Sequence, residues 1–465
     1  MINVPSSVID SINSDYRHIT VRVDMYINGD NEPPLVLTGD DIISIDILEE
    51  SSNSIDKPIG NLASNELSIS LYNENNKFTV TNTYSEYSDK IKPGIKLEVF
   101  ACVELENEKY YDIPMGVYFT EDWSSNSNTI SCDIVAYDRL FPLLDKDMPS
   151  IPIVINGSIK ELLCNIFNAI GISEYEIDST LSDNVKFGYI PSGTIGSVLR
   201  SICESYGVII TVNRYNTVVV KKQLNLSASE ITLTGENQIL ELVNIPSQSN
   251  VYSQVSMEYN IGGVSNNSTQ VLKLENLEVK PGINVYDNIK LQVSPVLYVS
   301  AVEVRNGRNI TILDYDINTH TMKLTLNNNS NITELVTITI HAVCMDISTA
   351  TLVTSNSEFD LSQKVMKVKC ELLREVPYLQ EYSNVLLQLG SNVAPLVELT
   401  IRGNPIIELT DIINIRTNAY NFNGSIIPLQ LKYDFSNGLE CKILGVNANT
   451  RDFNLYSFVG FNMIV

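Results

Sequence analysis

Two carboxylates beside an aromatic ring, Glu121-Asp122-Trp123, are the residue types that a glycoside hydrolase places around its sugar. They lie in an alternating stretch, Gly116 to Trp123, that predicts a β-strand. Successive side chains on a strand point to opposite faces, so the two carboxylates cannot flank one glycosidic bond. A structural role at the end of a strand is therefore favoured.

The remaining residues suited to chemistry are scattered. His18, His320 and His341 show no HxH or HxxxH spacing, so no metal site is expected. The segment Pro191 to Ser197 precedes a predicted helix like a phosphate loop, but it lacks the Gly-Lys-Ser/Thr ending, and Thr194 fits a helix N-cap. No Gly-x-Ser-x-Gly elbow occurs. We expect no catalytic residue, no bound cofactor and no metal ligand.

The cysteines and the hydropathy pattern indicate the compartment in which the protein is made. The 7 cysteines have no Cys-x-x-Cys spacing and an odd total, which is typical of small buried side chains in a reducing compartment. The start, MINVPSSVIDS, lacks the basic and apolar parts of a signal peptide, and no apolar run approaches the roughly 20 residues of a membrane helix. We expect no membrane insertion by this chain.

The chain is strongly acidic, with 31 basic and 55 acidic residues and a formal charge of −24. Nucleic-acid binding needs clustered Lys and Arg to displace counterions from phosphate, so stable nucleic-acid binding is disfavoured. An acidic surface is compatible with DNA that slides past without sticking. The alternative is that the charge only serves solubility.

The elements that must position these residues begin with short strands. Residues 1–145 are predicted to be almost wholly β, as a small barrel or sandwich. The predicted strands are Ile19 to Ile27, Ile42 to Leu48, Glu66 to Leu71, Ile95 to Val103, Gly116 to Trp123 and Thr129 to Tyr137. The period of two stops at Asp138, where a helical part begins.

Residues 146–222 predict a compact α/β unit. A helix from Ser158 to Ile170 has Ser158 as N-cap and Glu161 at the capping-box position. A second helix, Thr194 to Tyr206, ends at Gly207. A hairpin of Val208 to Val212 and Thr217 to Lys221 closes the unit.

From residue 223 the pattern returns to β and is expected to stay β. Residues 261–360 contain enough alternating runs for an inserted β-sandwich, so 223–260 plus 361–465 would form one further β unit. Lys92 to Val99 and Leu409 to Ile415 share a turn followed by an alternating strand, which suggests a duplicated barrel at both ends of the chain. The alternative is that any two short strands look alike.

The order of several motifs resembles the tail and baseplate hub proteins of phages that infect low-GC Gram-positive bacteria, and the late-control-D type of contractile tails. The matching segments are Gly60 to Asn73, Phe78 to Tyr87, Ile91 to Gly94, Pro114 to Trp123, Ala136 to Leu140, Leu199 to Val208, Thr217 to Lys222, Asn404 to Asp411 and Tyr433 to Leu439. Nothing specific is recognised in 261–360.

The resemblance implies a mainly β protein with a small α/β unit: two hub-type β-barrel domains, an α/β domain and the inserted sandwich. It implies a structural virion protein, a homotrimer whose six barrels form a pseudo-sixfold ring that lines the channel and joins the tail tube protein to baseplate and spike proteins. Such a chain would be made in the host cytoplasm and assembled into a phage tail or a bacteriocin particle. The residues expected to have structural roles are Gly94, Gly116, Trp123, Tyr137, Asp138, Arg139, Gly207, Pro405 and Asp411.

Within this interpretation, Trp123 and Tyr137 are expected to pack, and Asp138-Arg139 to begin the link to the α/β unit with a local ion pair. The strand-like LYSFVGFNMIV at the end leads us to expect no hydrolase after the hub. Two alternatives stay open. One is an enzyme that acts on cell-wall glycan, and the other is a receptor- or glycan-binding tail protein that uses the insertion.

Overall fold

The computed structural model describes residues 1–52, 60–105, 109–126, 130–181, 184–222, 230–234, 238–245, 252–355, 364–390, 396–417, 422–436, 438–447 and 462–464. The predicted strand start at Thr129, the unit bounds at 223 and at 360–361, and most of the final stretch 455–465 lie outside these residues.

The N-terminal part is built mainly of antiparallel strands, as the alternating pattern predicts. Its elements are α1 Ser6–Asn13, β1 Ile19–Met25, β2 Leu35–Leu37, β3 Ile42–Glu50, β4 Glu66–Tyr72, β5 Lys96–Leu105, β6 Lys109–Asn126, β7 Ser131–Tyr137 and α2 Phe141–Leu144. Alternate residues of β1 are buried in the core. The helix α1 was not predicted, and its Val8 and Ile12 pack into the same core.

The α/β unit confirms both predicted helices and their caps. Its elements are β8 Val154–Ser158, α3 Ile159–Ala169, β9 Tyr175–Ile177, β10 Asn184–Gly188, α4 Ile195–Tyr206, β11 Val208–Val212 and β12 Val218–Lys222. The Ser158 hydroxyl accepts from the Glu161 N–H, and the Thr194 hydroxyl accepts from the Ser197 N–H. Satisfying these N–H groups fixes where each helix starts.

The remainder is again mostly strand. Its elements are β13 Glu230–Thr234, β14 Ile239–Ile245, β15 Gln254–Val279, β16 Gly282–Lys290, β17 Val296–Arg305, β18 Ile310–Ile317, β19 Thr321–Asn328, β20 Glu334–Ser355, β21 Val365–Cys370, α5 Val376–Gly390, β22 Leu396–Arg402, β23 Ile412–Thr417, β24 Phe422–Asp434, β25 Glu440–Asn447 and β26 Asn462–Ile464.

The expectation that this part stays β is wrong for α5. Its apolar residues recur at helical spacing and pack on the first residues of β15 and on Leu396 of β22. They are Leu379, Tyr382, Leu386 and Leu387. The stripe is a helix signal that the surrounding β patterns obscured.

The two ends of the chain meet in one sheet. Antiparallel pairing of β3 with β24 joins them, and the described strands follow the order β14-β22-β25-β24-β3-β4-β7-β6-β5-β1-β2, with β13 and β23 branching from it. One apolar core contains residues from both ends, such as Ile45, Leu67, Leu399 and Ile443. Folding therefore couples segments that lie far apart in sequence.

The segment between these parts carries two further sheets around a shared core. One sheet has the order β17-β20-β15-β21, with β26 beside β20, and the other has the order β16-β19-β18. Leu324, Leu326 and Ile338 are fully buried between them. The mainly β fold class with a small α/β unit is thus confirmed. The division into four units, with its bounds, stays a prediction. Strand β15 runs without a break across residue 260, the predicted bound before the inserted sandwich.

Candidate functional site

A buried arginine joins the α/β unit to segments from both ends of the chain that meet in the large sheet. Arg214 lies in the turn between β11 and β12 and is only 4% exposed. Its Nε donates to Oε1 of Glu49 on β3 at 2.5 Å, and Nη2 donates to the carbonyl oxygen of Ile407 at 2.7 Å. Its Nη1 donates to the carbonyl oxygen of Pro405. One side chain therefore connects its own turn to two segments from distant parts of the chain.

Tyr433 on β24 completes this cluster. Its hydroxyl accepts from Arg214 Nη2 at 3.2 Å and donates to the carbonyl oxygen of Ile407 at 2.9 Å. The guanidinium carbon lies 5.2 Å from the centre of the Tyr433 ring. We call Glu49, Arg214, Pro405, Ile407 and Tyr433 the junction cluster.

The electrostatics of the junction cluster favour a charged arginine. Burial alone would lower the pKa of Arg214, but Glu49, Tyr433 and Glu408 together outweigh burial and raise that pKa above its usual value. Burial raises the pKa of Glu49, and Arg214 opposes this shift. Because a guanidinium does not lose its proton in a protein, the pair is held as a charge-assisted hydrogen bond.

Asp138 forms a second connection close to the end of β7. It is 1% exposed, and its carboxylate accepts from the backbone N–H groups of Asn65 at 2.8 Å and Leu140 at 2.9 Å. The Asn65 side chain donates in turn to the carbonyl oxygen of Val212 on β11 at 2.9 Å. Asp138 thus orders the chain where β7 leaves the sheet for the α/β unit.

Asp138 should make the stability of this protein depend on pH. Burial raises its pKa from 3.8 to about 6, so the folded state holds the proton more tightly than the unfolded state does. The corresponding stabilisation is complete below pH 4 and is lost as the pH rises through 6. It amounts to about 2 to 3 kcal/mol.

Unfolding by urea at pH 4 to 7.5 measures this effect when wild type is compared with Asp138→Asn, which stays neutral. The free energy of unfolding of wild type should fall relative to that of the variant across this range. A difference that is constant with pH would contradict the assignment.

The structure separates Asp138 from its sequence neighbour. The predicted local ion pair with Arg139 is wrong, because the Asp138 carboxylate is held by backbone N–H groups. Arg139 instead donates to the carbonyl oxygen of Asn216 at 2.8 Å and lies 3.4 Å from the exposed carboxylate of Glu174. Adjacent residues leaving a strand point in different directions, which sequence spacing alone did not resolve.

Two predicted glycines lie where a side chain does not fit. Gly116 has φ +137°, and a Cβ there would lie 2.5 Å from the hydroxyl oxygen of Tyr118. It follows a bulge in β6, where Met115 is the extra residue opposite β5. Gly207 ends α4 with φ +62°, and a Cβ there would lie 2.7 Å from the Tyr382 ring.

The other predicted residues have ordinary structural positions. The N–H of Gly94 donates to the carbonyl oxygen of Thr120. Trp123 is half-buried against the large core, and Tyr137 stacks on Phe141 with ring centres 3.9 Å apart. Asp411 is 2% exposed and accepts from the Glu408 N–H at 2.8 Å. Burial raises the pKa of Asp411. Their functional importance stays a prediction.

Of the predicted residues, Pro405 belongs to the junction cluster itself, and Gly116 adjoins Met115, whose sulfur lies 3.5 Å from Arg214 Nη1. Sequence reasoning missed Arg214, Glu49 and Tyr433. A single arginine in a hairpin turn usually points to solvent, so the sequence carried no signal that distinguished it.

Neither a metal-binding cluster nor a disulfide occurs among the described residues. Across the ranges given above, no group of three or more His, Cys, Asp or Glu side chains is arranged to hold a metal ion. All seven cysteines are free, and six of them are buried. None of the helices in those ranges combines the length and apolarity that crossing a bilayer requires.

Comparison with known proteins gives similarity in structure but not in sequence. No protein-family model and no curated protein matches this chain. The 43 kDa tail protein of prophage MuSo2 from Shewanella oneidensis superposes with a TM-score of 0.51 at 10% identity, over 94% of this chain and 99% of that one. The tail protein from Neisseria meningitidis MC58 also has a TM-score of 0.51, at 9% identity, over 92% of this chain and 97% of that one. This chain therefore has the fold of phage tail proteins, which confirms at the level of the fold the resemblance found in its sequence.

Proposed function

We propose that this protein is a structural hub at the distal end of a phage tail or a related contractile particle. The observation that carries the proposal is the fold shared with two tail proteins along nearly the whole of all three chains. The junction cluster is buried and connects distant segments of the chain, which fits a structural protein that transmits mechanical force. We assign the chain no enzymatic role.

The oligomer that we propose is a homotrimer in which each chain contributes its two ends to a pseudo-sixfold ring. Strand β3 from one end of the chain pairs with β24 from the other end, so each protomer would supply one continuous third of the ring. Closed rings of identical contacts are the usual outcome of symmetric assembly. Tail tube protein would bind one side of the ring, and baseplate and spike proteins the other.

The face of the large sheet that is opposite its core would line the channel. Several carboxylates on this face each lie beside a basic side chain. The pairs are Arg22–Asp24 at 3.1 Å, Lys96–Glu98 at 2.6 Å and Lys432–Asp46 at 3.3 Å. Such a mixed face offers no continuous basic track, so DNA would pass without being bound. The ring would be assembled into the particle after synthesis in the host cytoplasm.

Light scattering and negative-stain microscopy test the ring. The purified protein, alone or with its tail neighbours, should reach three times the 51.8 kDa mass of one chain and give ring-shaped particles with apparent sixfold symmetry. Ile283→Ser is a control, because this side chain is 69% exposed on β16, away from the large sheet, and the variant should assemble normally. A strict monomer that binds no tail protein would overturn the proposal.

A further inference from the structure

The segment inserted before α5 is attached to the rest of the chain through a narrow neck. Strand β21 stops pairing with β15 at Tyr259, and β17 begins to pair with β20 only at Cys344. Between these points the described sheet is two strands wide, with Asn260 to Val264 opposite Met345 to Thr349. We call these residues the neck and residues 265–344 beyond it the arm.

The neck has the features of a bending point. It contains Gly262 and Gly263, and a Cβ at Gly263 would meet nothing within 4 Å. Immediately beyond it, Ser265, Asn266 and Asn267 of β15 lie opposite Cys344 alone, which is a bulge that interrupts the ladder. Ile261 and Val264 are each 47% exposed, while Met345 is buried and the Leu373 side chain lies against Gly262. Two-stranded ribbons twist and bend more easily than wide sheets.

A second contact holds the arm against the α/β unit. The turn between β18 and β19 inserts Thr319, which is fully buried; its N–H and its hydroxyl both donate to the carbonyl oxygen of Ile151, at 3.0 and 2.5 Å. The N–H of His320 donates to the Ser150 hydroxyl at 3.1 Å, and His320 Nε2 lies 2.8 Å from the carbonyl oxygen of Ile190. We call Thr319 and His320 the latch.

We propose that the arm is a hinged element: it rotates at the neck as a rigid body, and the latch holds it closed. The core of the arm is its own, with Leu324, Leu326 and Ile338 fully buried inside it, so the arm can move without unfolding. The latch, in contrast, consists of a few hydrogen bonds, each worth little once water competes for the same groups. Opening displaces most strongly the end of the arm that lies opposite the latch, where Ile332 is 69% exposed and Leu335 is 54% exposed.

Hydrogen exchange on the full-length protein distinguishes hinge opening from unfolding. The N–H groups of Thr319 and His320 donate to the α/β unit, whereas the N–H groups of β19 are bonded to other strands of the arm. The latch amides should exchange faster than the β19 amides in wild type. Thr319→Val keeps the shape but loses the hydroxyl bond, and it should accelerate latch exchange about fivefold while β19 exchange stays unchanged.

Thr311→Val is the matched control. The Thr311 hydroxyl donates to the carbonyl oxygen of Asn327 inside the arm, so this variant loses a hydroxyl bond of the same type without touching the latch. It should leave latch exchange unchanged. Small-angle scattering should also show a larger maximum dimension for Thr319→Val than for Thr311→Val. Equal acceleration of latch and β19 amides, or no acceleration at either, would overturn the hinge.

Discussion

Arg214→Met is expected to lower the free energy of unfolding by about 3 to 5 kcal/mol, the cost typical of removing one partner of a buried ion pair. The loss has two causes. Glu49, 5% exposed, would keep a carboxylate without its counter-charge, and the carbonyl oxygens of Pro405 and Ile407 would lose their donor. Urea unfolding at pH 7 measures the change.

Two further variants separate the effect of the unpaired Glu49 charge from the effect of losing the contacts between segments. Adding Glu49→Gln to Arg214→Met removes the uncompensated carboxylate and should restore part of the stability. Arg305→Met removes an arginine whose pair with Glu303 is exposed, at 71% and 44%, and should cost less than 1 kcal/mol. If Arg214→Met were as mild as Arg305→Met, the junction cluster would not hold the units together.

Gly116→Ala is expected to lower the free energy of unfolding by about 3 kcal/mol, the next largest loss after that of Arg214→Met. Two costs combine. The backbone has φ +137°, which residues with a side chain rarely adopt, and the new Cβ would meet the Tyr118 ring at 2.5 to 2.7 Å. Tyr118 is 2% exposed and its hydroxyl donates to the carbonyl oxygen of Met115 at 3.1 Å, so the ring has little room to move.

Gly94→Ala is the matched comparison for the clash. Gly94 also has a positive φ, +85°, but a Cβ there would meet nothing within 4 Å. Only the backbone cost of roughly 1 to 2 kcal/mol should appear. Thermal unfolding of both variants tests this, and equal destabilisation by the two would show that the contact with Tyr118 is unimportant.

The sequence by itself determined the local elements. Alternation in Ile42 to Leu48 and Glu66 to Leu71 predicted β3 and β4, and Ser158, Thr194 and Gly207 marked helix ends that the structure confirms. These features depend on side-chain period and on backbone groups within a few residues of each other. The order of the motifs also predicted the fold that the two tail proteins share.

Only the tertiary structure decided how the pieces are joined. The contact of Arg214 with Glu49 spans 165 residues and its contact with Ile407 spans 193, distances at which no local pattern links the partners. The same holds for the pairing of β3 with β24 and for Thr319 on Ile151. The physical reason is that burial of a polar side chain requires partners, and which distant groups supply them depends on how the whole chain packs.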